Sequence, residues 1–440
     1  MRLETFSRLR LGSHLGQLRA IPVRLGADAP PGILAAHAAD PDVDPHIELF
    51  FFPSDTLKLT LFTATGEMLW RKDLGPAVVP GKSFVPICAF DLDGDGIDEI
   101  WFVNNVSREH PLRLQNYRLE RLDAQTGKTT GRWPWPHKGN VQSLSHSFRN
   151  FILGGYANDE PVLVTAQGTY GPMFLQGHRP DMSLRWERDI GESDPGARGS
   201  HMAPIADINR DGIDEVMWGE RCIELDSGKQ LWCADEDTYR GHSDVVQPVL
   251  CDDGNWIVCT CREGDEQVKP RVAAFNDRGE RIWGAVDEGH MHLGWVARLG
   301  DQGKTATAIR IDKTGRQGKR ACQTYTFDVF TGAKKELSFD PLQTIPVDFN
   351  GDGRHELIRG MPGGDGTVWN RYGQEITKVG GTVALARKLV DRPGEQVLLY
   401  HEDGTIRIVC DADADRDSDE AKVRFEHPYY RVNMHTLGGL

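Results

Sequence analysis

The stretch AFDLDGDGIDEIWF (Ala89–Phe102) decides how this chain is read. A short apolar run leads in. Oxygen-bearing side chains then recur at every second position, a glycine lets the backbone curl, and a second apolar run leads out. Two other segments repeat it in register, IADINRDGIDEVMW (Ile205–Trp218) and PVDFNGDGRHELIR (Pro346–Arg359). AADPDVDPHIELFF (Ala38–Phe51) is a degenerate copy with prolines in place of the glycines. Looser acidic turns in LGGYANDEPV, CDDGNW, LGDQGKTA and VDRPGEQV complete a series starting near residues 40, 91, 153, 207, 252, 300, 348 and 391. A period of roughly 45–60 residues is that of a repeat architecture.

Each turn is followed by a second hairpin marked by Gly or Asp and often by Trp: LFTATGEMLW, RLDAQTGKTTGRW, CIELDSGKQLW, AFNDRGERIW and TFDVFTGAKK. Alternating apolar residues between such turns read as short strands. No segment reads as a convincing amphipathic helix. Four antiparallel strands at this period make a blade, and the chain reads as an all-β, single β-propeller. Eight blades are counted, with seven as the alternative. The eighth runs from Gly380 to about Glu426, with residues 1–12 closing the ring as its outer strand. One ring accounts for all 440 residues without a second domain.

Lys and Arg number 51 against 65 Asp and Glu, a formal charge of −14. That excludes a uniformly basic nucleic-acid or membrane-surface binder. No run of 18 apolar residues is present, so none reads as a membrane-spanning helix. MRLETFSRLRLGSHLG has no apolar signal core, so the expectation is a cytoplasmic chain or one that has lost its leader. Eight cysteines are too few for a disulfide scaffold. Cys222 and Cys233 lie symmetrically about the Ser227-Gly228 turn, a spacing that would let them face each other. Cys259 and Cys261 alternate and share one strand face.

The acidic turns carry the oxygens that Ca²⁺ takes. The expected ligands are Asp91, Asp93, Asp95 and Glu99 in the first copy. They are Asp207, Asn209, Asp211 and Glu215 in the second, and Asp348, Asn350, Asp352 and Glu356 in the third. The degenerate copy offers Asp40, Asp42, Asp44 and Glu48, so three or four structural Ca²⁺ sites are expected. Asp411–Glu420 has the oxygens but no glycine, as a solvated acidic loop would. The bland alternative for every copy is an acidic turn held by its own hydrogen bonds.

The other ends of the inner strands carry a different chemistry. In order they read VQSLSHSFRN with His146 and Arg149, ARGSHMAPIAD with Arg198 and His201, TYRGHSDVV with Tyr239, Arg240 and His242, and DEGHMHLGW with His290 and His292. Tyr170, in AQGTYGPM, lies on the same rim. Four consecutive units thus bring His to one mouth of the channel. Arg recognises carboxylates, and His exchanges protons near neutral pH. His201, His242 and His290 are also a candidate transition-metal site.

The DLDGDGIDE turns, the TGKxLW-type hairpins and the inner-strand motifs RGHSD and GHMH resemble those of the β-propeller polysaccharide lyases, the rhamnogalacturonan lyases with eight calcium-pinned blades and the ulvan lyases with seven. HPYYRVNMH (His427–His435) is similar to a Tyr-Arg segment near the end of the first group. The resemblance implies β-elimination on an acidic polysaccharide or oligosaccharide containing a uronic acid. It implies Arg240 or Arg198 for the uronate carboxylate, His242 or His201 as base, and Tyr239 as acid, with His146, His290, His292 and Tyr170 around the sugar. Three rivals remain. A non-catalytic propeller binding glycan or protein has no need of a His rim. A quinone-dependent dehydrogenase shares the Trp hairpins but carries adjacent cysteines that are absent here. A glycoside hydrolase needs two carboxylates, for which Asp244, Asp287 and Glu288 are available.

Overall fold

The structure, a computed structural model, describes residues 1–12, 14–27, 29–46, 49, 51–107, 111–113, 116–136, 143–301, 304–312 and 321–433. Its strands form eight four-stranded antiparallel sheets. Blades 1 to 7 span residues 17–73, 87–134, 150–190, 205–233, 243–285, 290–335 and 344–378 in simple up-and-down order. Blade 8 takes its first three strands from 382–411 and its outer strand from Leu3–Arg10, which pairs with Thr405–Asp411. The first strand of a blade is innermost, and first strands of neighbouring blades touch around the ring. Second strands such as Glu99–Asn105 and Trp256–Arg262 are buried along their whole length, because neighbouring blades cover both of their faces.

Indole rings couple one blade to the next. Trp70, Trp186, Trp232 and Trp283 each follow the outer hairpin turn of their blade. Their Nε1–H groups donate to Ala124, Leu225, Asp277 and Val329 carbonyls at 2.7, 2.6, 2.9 and 2.9 Å, all in the outer hairpin of the following blade. The ring lies over a turn glycine there. A Cβ on Gly127, Gly228, Gly279 or Gly332 would fall 2.5–2.7 Å from an indole atom, and each of these glycines has φ between +65° and +76°. The TGKxLW-type hairpins of the sequence are therefore the two halves of one contact. The turn glycine receives the preceding indole, and the Trp reaches forward.

Three expectations are corrected. In blade 1 the innermost strand is Gln17–Val23 and the second is Gly32–Ala38, so Asp40 follows the second strand and lies at the opposite end of the blade from the acidic turns. The degenerate acidic copy misled because its oxygen spacing was read without the glycines that curl the true turns. Residues 419–426 and 428–432 are two short helices rather than part of blade 8. Ser418 caps the first, with Asp419 and Glu420 in its opening turn, and Pro428 starts the second. Cys222 pairs with Trp232 and Cys233 with Arg221, one residue out of the expected register, and both thiols are free.

The two helices lie over the acidic-turn end of the channel. Arg424 reaches Asp348 at 3.1 Å, the Tyr430 hydroxyl donates to Glu395 Oε1 at 2.9 Å, and Asn433 exchanges two hydrogen bonds with the Ile205 backbone. Among the described residues no helix is long and apolar enough to cross a membrane.

Gly228→Ala should destabilise the chain by about 2–4 kcal/mol, from left-handed strain plus overlap with Trp186. Urea unfolding followed by Trp fluorescence measures this. An unchanged midpoint would remove the docking contact as a stabilising element.

Candidate active site and acidic turns

The expected histidines meet at one mouth of the channel. His146 is on the short helix Leu144–Phe148 that precedes blade 3, and Tyr170 is in the loop between the second and third strands of that blade. His201 precedes the first strand of blade 4, and His242 precedes that of blade 5. His290 and His292 open the first strand of blade 6.

What gathers them is Glu263. Ser243 pairs with Arg262, so the chain leaving the second strand of blade 5 returns beside His242, where the Glu263 and Gly264 amides both donate to its carbonyl. The Glu263 carboxylate, 8 % exposed, faces four imidazoles. Oε2 lies 2.8 Å from His242 Nε2 and 3.2 Å from His201 Nε2. Oε1 lies 2.7 Å from His290 Nε2 and 3.4 Å from His292 Nε2. Behind the rings, Asp244 Oδ1 lies 3.9 Å from Nδ1 of both His201 and His292, and Glu266 Oε1 lies 2.9 Å from His290 Nδ1. Burial alone would raise the Glu263 pKa. Hydrogen bonds from His201, His242 and His290 outweigh it and hold the carboxyl far below the usual range. Burial is the larger influence on His242, whose pKa falls to about 4.

Two buried arginines fix this loop. Arg262 pairs with Glu220 and Asp235, and its guanidinium lies 4.2 Å from the Tyr239 ring centroid. Arg271 donates to the carbonyls of Arg262, Glu263, Gly264, Asp265 and Val268, and through Nε to Gly289, the residue before His290. One guanidinium therefore ties the Glu263 loop to the strand carrying His290 and His292.

Tyr170 closes the cluster on the blade 3 side. Its hydroxyl is 2.9 Å from His201 Nε2, and its ring meets His242 edge-on at 4.1 Å between centroids. The Arg149 guanidinium sits 5.2 Å from the ring centroid and is itself paired with Asp44 at 2.9 Å. Tyr170 has φ +78°, a left-handed conformation costly for an aromatic residue and typical of functional loops. Burial pushes its pKa up, so the phenol keeps its proton. His146 lies against the same loop, since a Cβ on Gly171 would fall 2.6 Å from its ring. Burial lowers its pKa, and its buried Nδ1 has no hydrogen-bond partner.

Several expected roles fail on geometry. Tyr239 is fully buried and its hydroxyl is spent on the His242 carbonyl at 2.6 Å, so it has no access to substrate. Arg198 is 4 % exposed and its guanidinium holds the Gly191 and Asp194 carbonyls. His242 packs beneath Tyr170 with Nε2 directed to Glu263, which removes it as a base. Arg240 is exposed, and its amide donates to Asp265 Oδ2 at 3.1 Å. Asp287 and Glu288 are exposed, and Asp287 pairs with Lys269, away from the cluster that Asp244 joins. Sequence reasoning missed Glu263 and the Arg149–Asp44 pair. Glu263 was within reach, because a hairpin partner of His242 must return to the same rim.

The three acidic turns are superposable in their hydrogen bonds. The first Asp of each accepts the amide of the glycine five residues on, and the fifth residue caps the amide two residues later. The closing Glu accepts the amide after the first Asp. Asp91, Asp93 and Asp95 present ligand atoms within 4.8 Å of one another, as do the His201–His242–Glu263 and Glu263–His290–His292 sets. Burial, then neighbouring carboxylates, pushes Glu99 up to about 7 and Glu215 and Glu356 up to about 8. In the degenerate copy Asp40, Asp42 and Asp44 bind Ser54 and Asp55, Lys82, and Arg149 respectively, as separate acceptors. Glu48 lies outside the described residues, as do Met434 and His435.

No protein-family profile matches the chain. The rhamnogalacturonan exolyase YesX of Bacillus subtilis (strain 168) is 24 % identical over 309 residues, 62 % of this chain and 48 % of that protein. The chain is similar to rhamnogalacturonan lyases. The rhamnogalacturonan endolyase YesW of the same strain is 27 % identical over 254 residues, 50 % of this chain and 40 % of that protein. The chain spans about half the length of these two relatives. The crystal structure of exotype YesX has the same fold, with a TM-score of 0.79 at 18 % identity over 97 % of this chain and 79 % of that one.

Arg198→Ala should lower stability by about 1–3 kcal/mol through two lost buried hydrogen bonds, whereas Arg240→Ala should change it by less than about 0.5 kcal/mol. Denaturant titration of both separates the structural arginine from the available one. Equal losses would contradict the assignment.

Proposed function

We propose that the protein is a polysaccharide lyase that cleaves a uronate-containing, pectin-type glycan by β-elimination. The Glu263–His cluster beside Tyr170 carries this reading, and the similarity to proteins named as rhamnogalacturonan lyases supports it.

Elimination needs the uronate carboxylate neutralised, a base for the C5 proton and an acid for the departing glycosidic oxygen. Three carboxylates, Asp244, Glu263 and Glu266, surround the cluster and would repel an anionic sugar. The donor set fits a divalent cation. Imidazole Nε2 atoms converge on one carboxylate, and carboxylates stand behind Nδ1 of His201, His290 and His292, a pattern seen with metal-bound histidine. Glu263, His201 and His242 would hold it. When bound, the cation supplies positive charge for the uronate carboxylate. Arg240, exposed at the same mouth, adds a guanidinium for that carboxylate. Tyr170, protonated at neutral pH, is the acid. His146 is the rim imidazole outside the Glu263 cluster and is neutral near pH 7, which fits it as base. Arg149 and Asp44 hold the Tyr170 ring in place.

The three acidic turns are structural Ca²⁺ sites in this proposal. Without a cation the folded chain keeps protons on Glu99, Glu215 and Glu356 above pH 4.5, where the unfolded chain has released them. The folded state then binds more protons, so stability falls as pH rises toward about 8. Ca²⁺ displaces those protons from the folded state and removes the slope. Melting curves in chelator should therefore drop between about pH 5 and pH 8, and millimolar Ca²⁺ should restore the loss. A chelator-insensitive melting temperature across this range would contradict the calcium assignment.

Tyr170→Phe and His146→Ala should each lower kcat by about 10²–10⁴-fold on the active glycan, with fold and metal content unchanged. The readout is ultraviolet absorbance of the unsaturated uronate product across a panel of acidic polysaccharides. Full activity in Tyr170→Phe would remove the acid assignment. No absorbance on any uronate with the metal-loaded protein would remove the lyase reading.

A further inference from the structure

Blade 8 carries a basic pair of its own. In the register of Leu3–Arg10 with Thr405–Asp411, Arg8 stands directly opposite Arg407. Side chains so placed lie about 5 Å apart at Cβ, and like charges there repel. The next pair, Leu9 and Ile406, packs into the core shared with blade 1, so the two arginines occupy the other face of the sheet. The chain is acidic, with a formal charge of −14. Yet among the described residues neither guanidinium has a carboxylate in ion-pair range. Asp403, the acidic neighbour, folds onto the Thr405 amide at 2.9 Å, with Arg10 as its nearby cation.

The surroundings hold this pair open. Arg407 donates through Nε to His401 Nε2 at 3.1 Å and through Nη2 to the Val379 and Gly380 carbonyls. Val379 and Gly380 belong to the connection from blade 7 to blade 8, between Glu375–Lys378 and Thr382–Arg387. His401 lies between the second and third strands of blade 8, the connection that carries Tyr170 in blade 3. Both therefore lie at the mouth that the histidines share. Gly380 has φ +68°, and a Cβ there would meet nothing within 4 Å, so space stands clear beside the guanidinium. Gly381 backs the His401 ring, 3.0 Å from its own Cβ position. Because Arg407 Nε is always a donor, His401 Nε2 accepts and its ring proton sits on Nδ1, available to donate. Burial, then Arg407, lowers the His401 pKa, which keeps the ring neutral.

We propose that Arg8, Arg407 and His401 form a carboxylate-binding subsite for an acidic glycan, on the far side of the mouth from the Glu263 cluster. The inference rests on the reading that the protein acts on a uronate-containing glycan, and adds a distal contact for it. A carboxylate set between two guanidiniums accepts charge-assisted hydrogen bonds from both and cancels the repulsion that the empty pair carries. A neutral sugar leaves that repulsion in place, so the site selects for charge. A chain held at the Glu263 end and again at blade 8 gains affinity from the second contact, which favours polymers over short fragments.

The test is calorimetric binding of a long oligogalacturonate to the full chain, calcium-loaded and then desalted, in a Tyr170→Phe background that slows turnover. Arg8→Glu supplies the ion-pair partner that Arg407 lacks. It should raise the melting temperature of the empty protein and weaken oligogalacturonate binding by at least about tenfold. A merely structural arginine would not move these two readouts in opposite directions. Arg278→Ala removes an exposed charge from the acidic-turn end and should change binding by less than about twofold. Arg8 is exposed, so its replacement spares the fold, and circular dichroism checks this. The same oligomer with its carboxyls reduced to alcohols should bind the parent and Arg8→Glu alike. Equal oligogalacturonate affinity in the parent and Arg8→Glu overturns the subsite, as does no binding in the parent or an equal loss with the reduced oligomer. Unsaturated product from the wild type beside equal binding overturns the subsite alone. Arg8-dependent binding without product on any uronate overturns the lyase reading and leaves the subsite standing.

Discussion

A carboxylate buried among four imidazoles is the constraint around which the functional end of this molecule is arranged. An ionised Glu263 without partners would be expelled from its position or protonated. It is retained because four inner-rim histidines from three blades point their Nε2 atoms at it. Two buried guanidiniums, Arg262 and Arg271, shape the loop that presents it. The propeller is what makes this convergence possible. Inner strands crowd the axis, so side chains at their starts meet although they are far apart in sequence.

The two faces of the ring divide the chemistry. One end carries the acidic turns, whose aspartates fold the loop on itself and whose closing glutamates carry raised pKa values. The carboxy-terminal helices lie over that end, with Arg424 on Asp348. The other end carries His, Tyr and Arg. The outer rim is held by indole-to-glycine docking, a contact that repeats between blades 1 and 2, 3 and 4, 4 and 5, and 5 and 6.

Much of this was legible in the sequence, and for physical reasons. The acidic turns need glycine at a fixed offset, and the blade period follows from strand and turn lengths, so eight blades and three of the acidic turns could be read directly. The His residues of blades 3 to 6 were legible because strand starts share one rim. What failed depended on side-chain direction. Tyr239 and Arg198 have the right types at the right positions, yet their polar atoms are consumed by backbone carbonyls. Tyr170 was placed around the sugar, but its bond to His201 was not legible, because it depends on a left-handed backbone that the sequence does not announce. Asp40 shared the acidic spacing but sits at the other end of its blade, since spacing alone does not say which connection it occupies.

The central claim is bond cleavage by elimination rather than by water. The direct measurement is the mass of the products from an acidic glycan digested in ¹⁸O-labelled water. Elimination predicts fragment masses that sum to the substrate, with an unsaturated uronate end and no label. Fragments that together gain one water carrying ¹⁸O would contradict the account and make the protein a hydrolase.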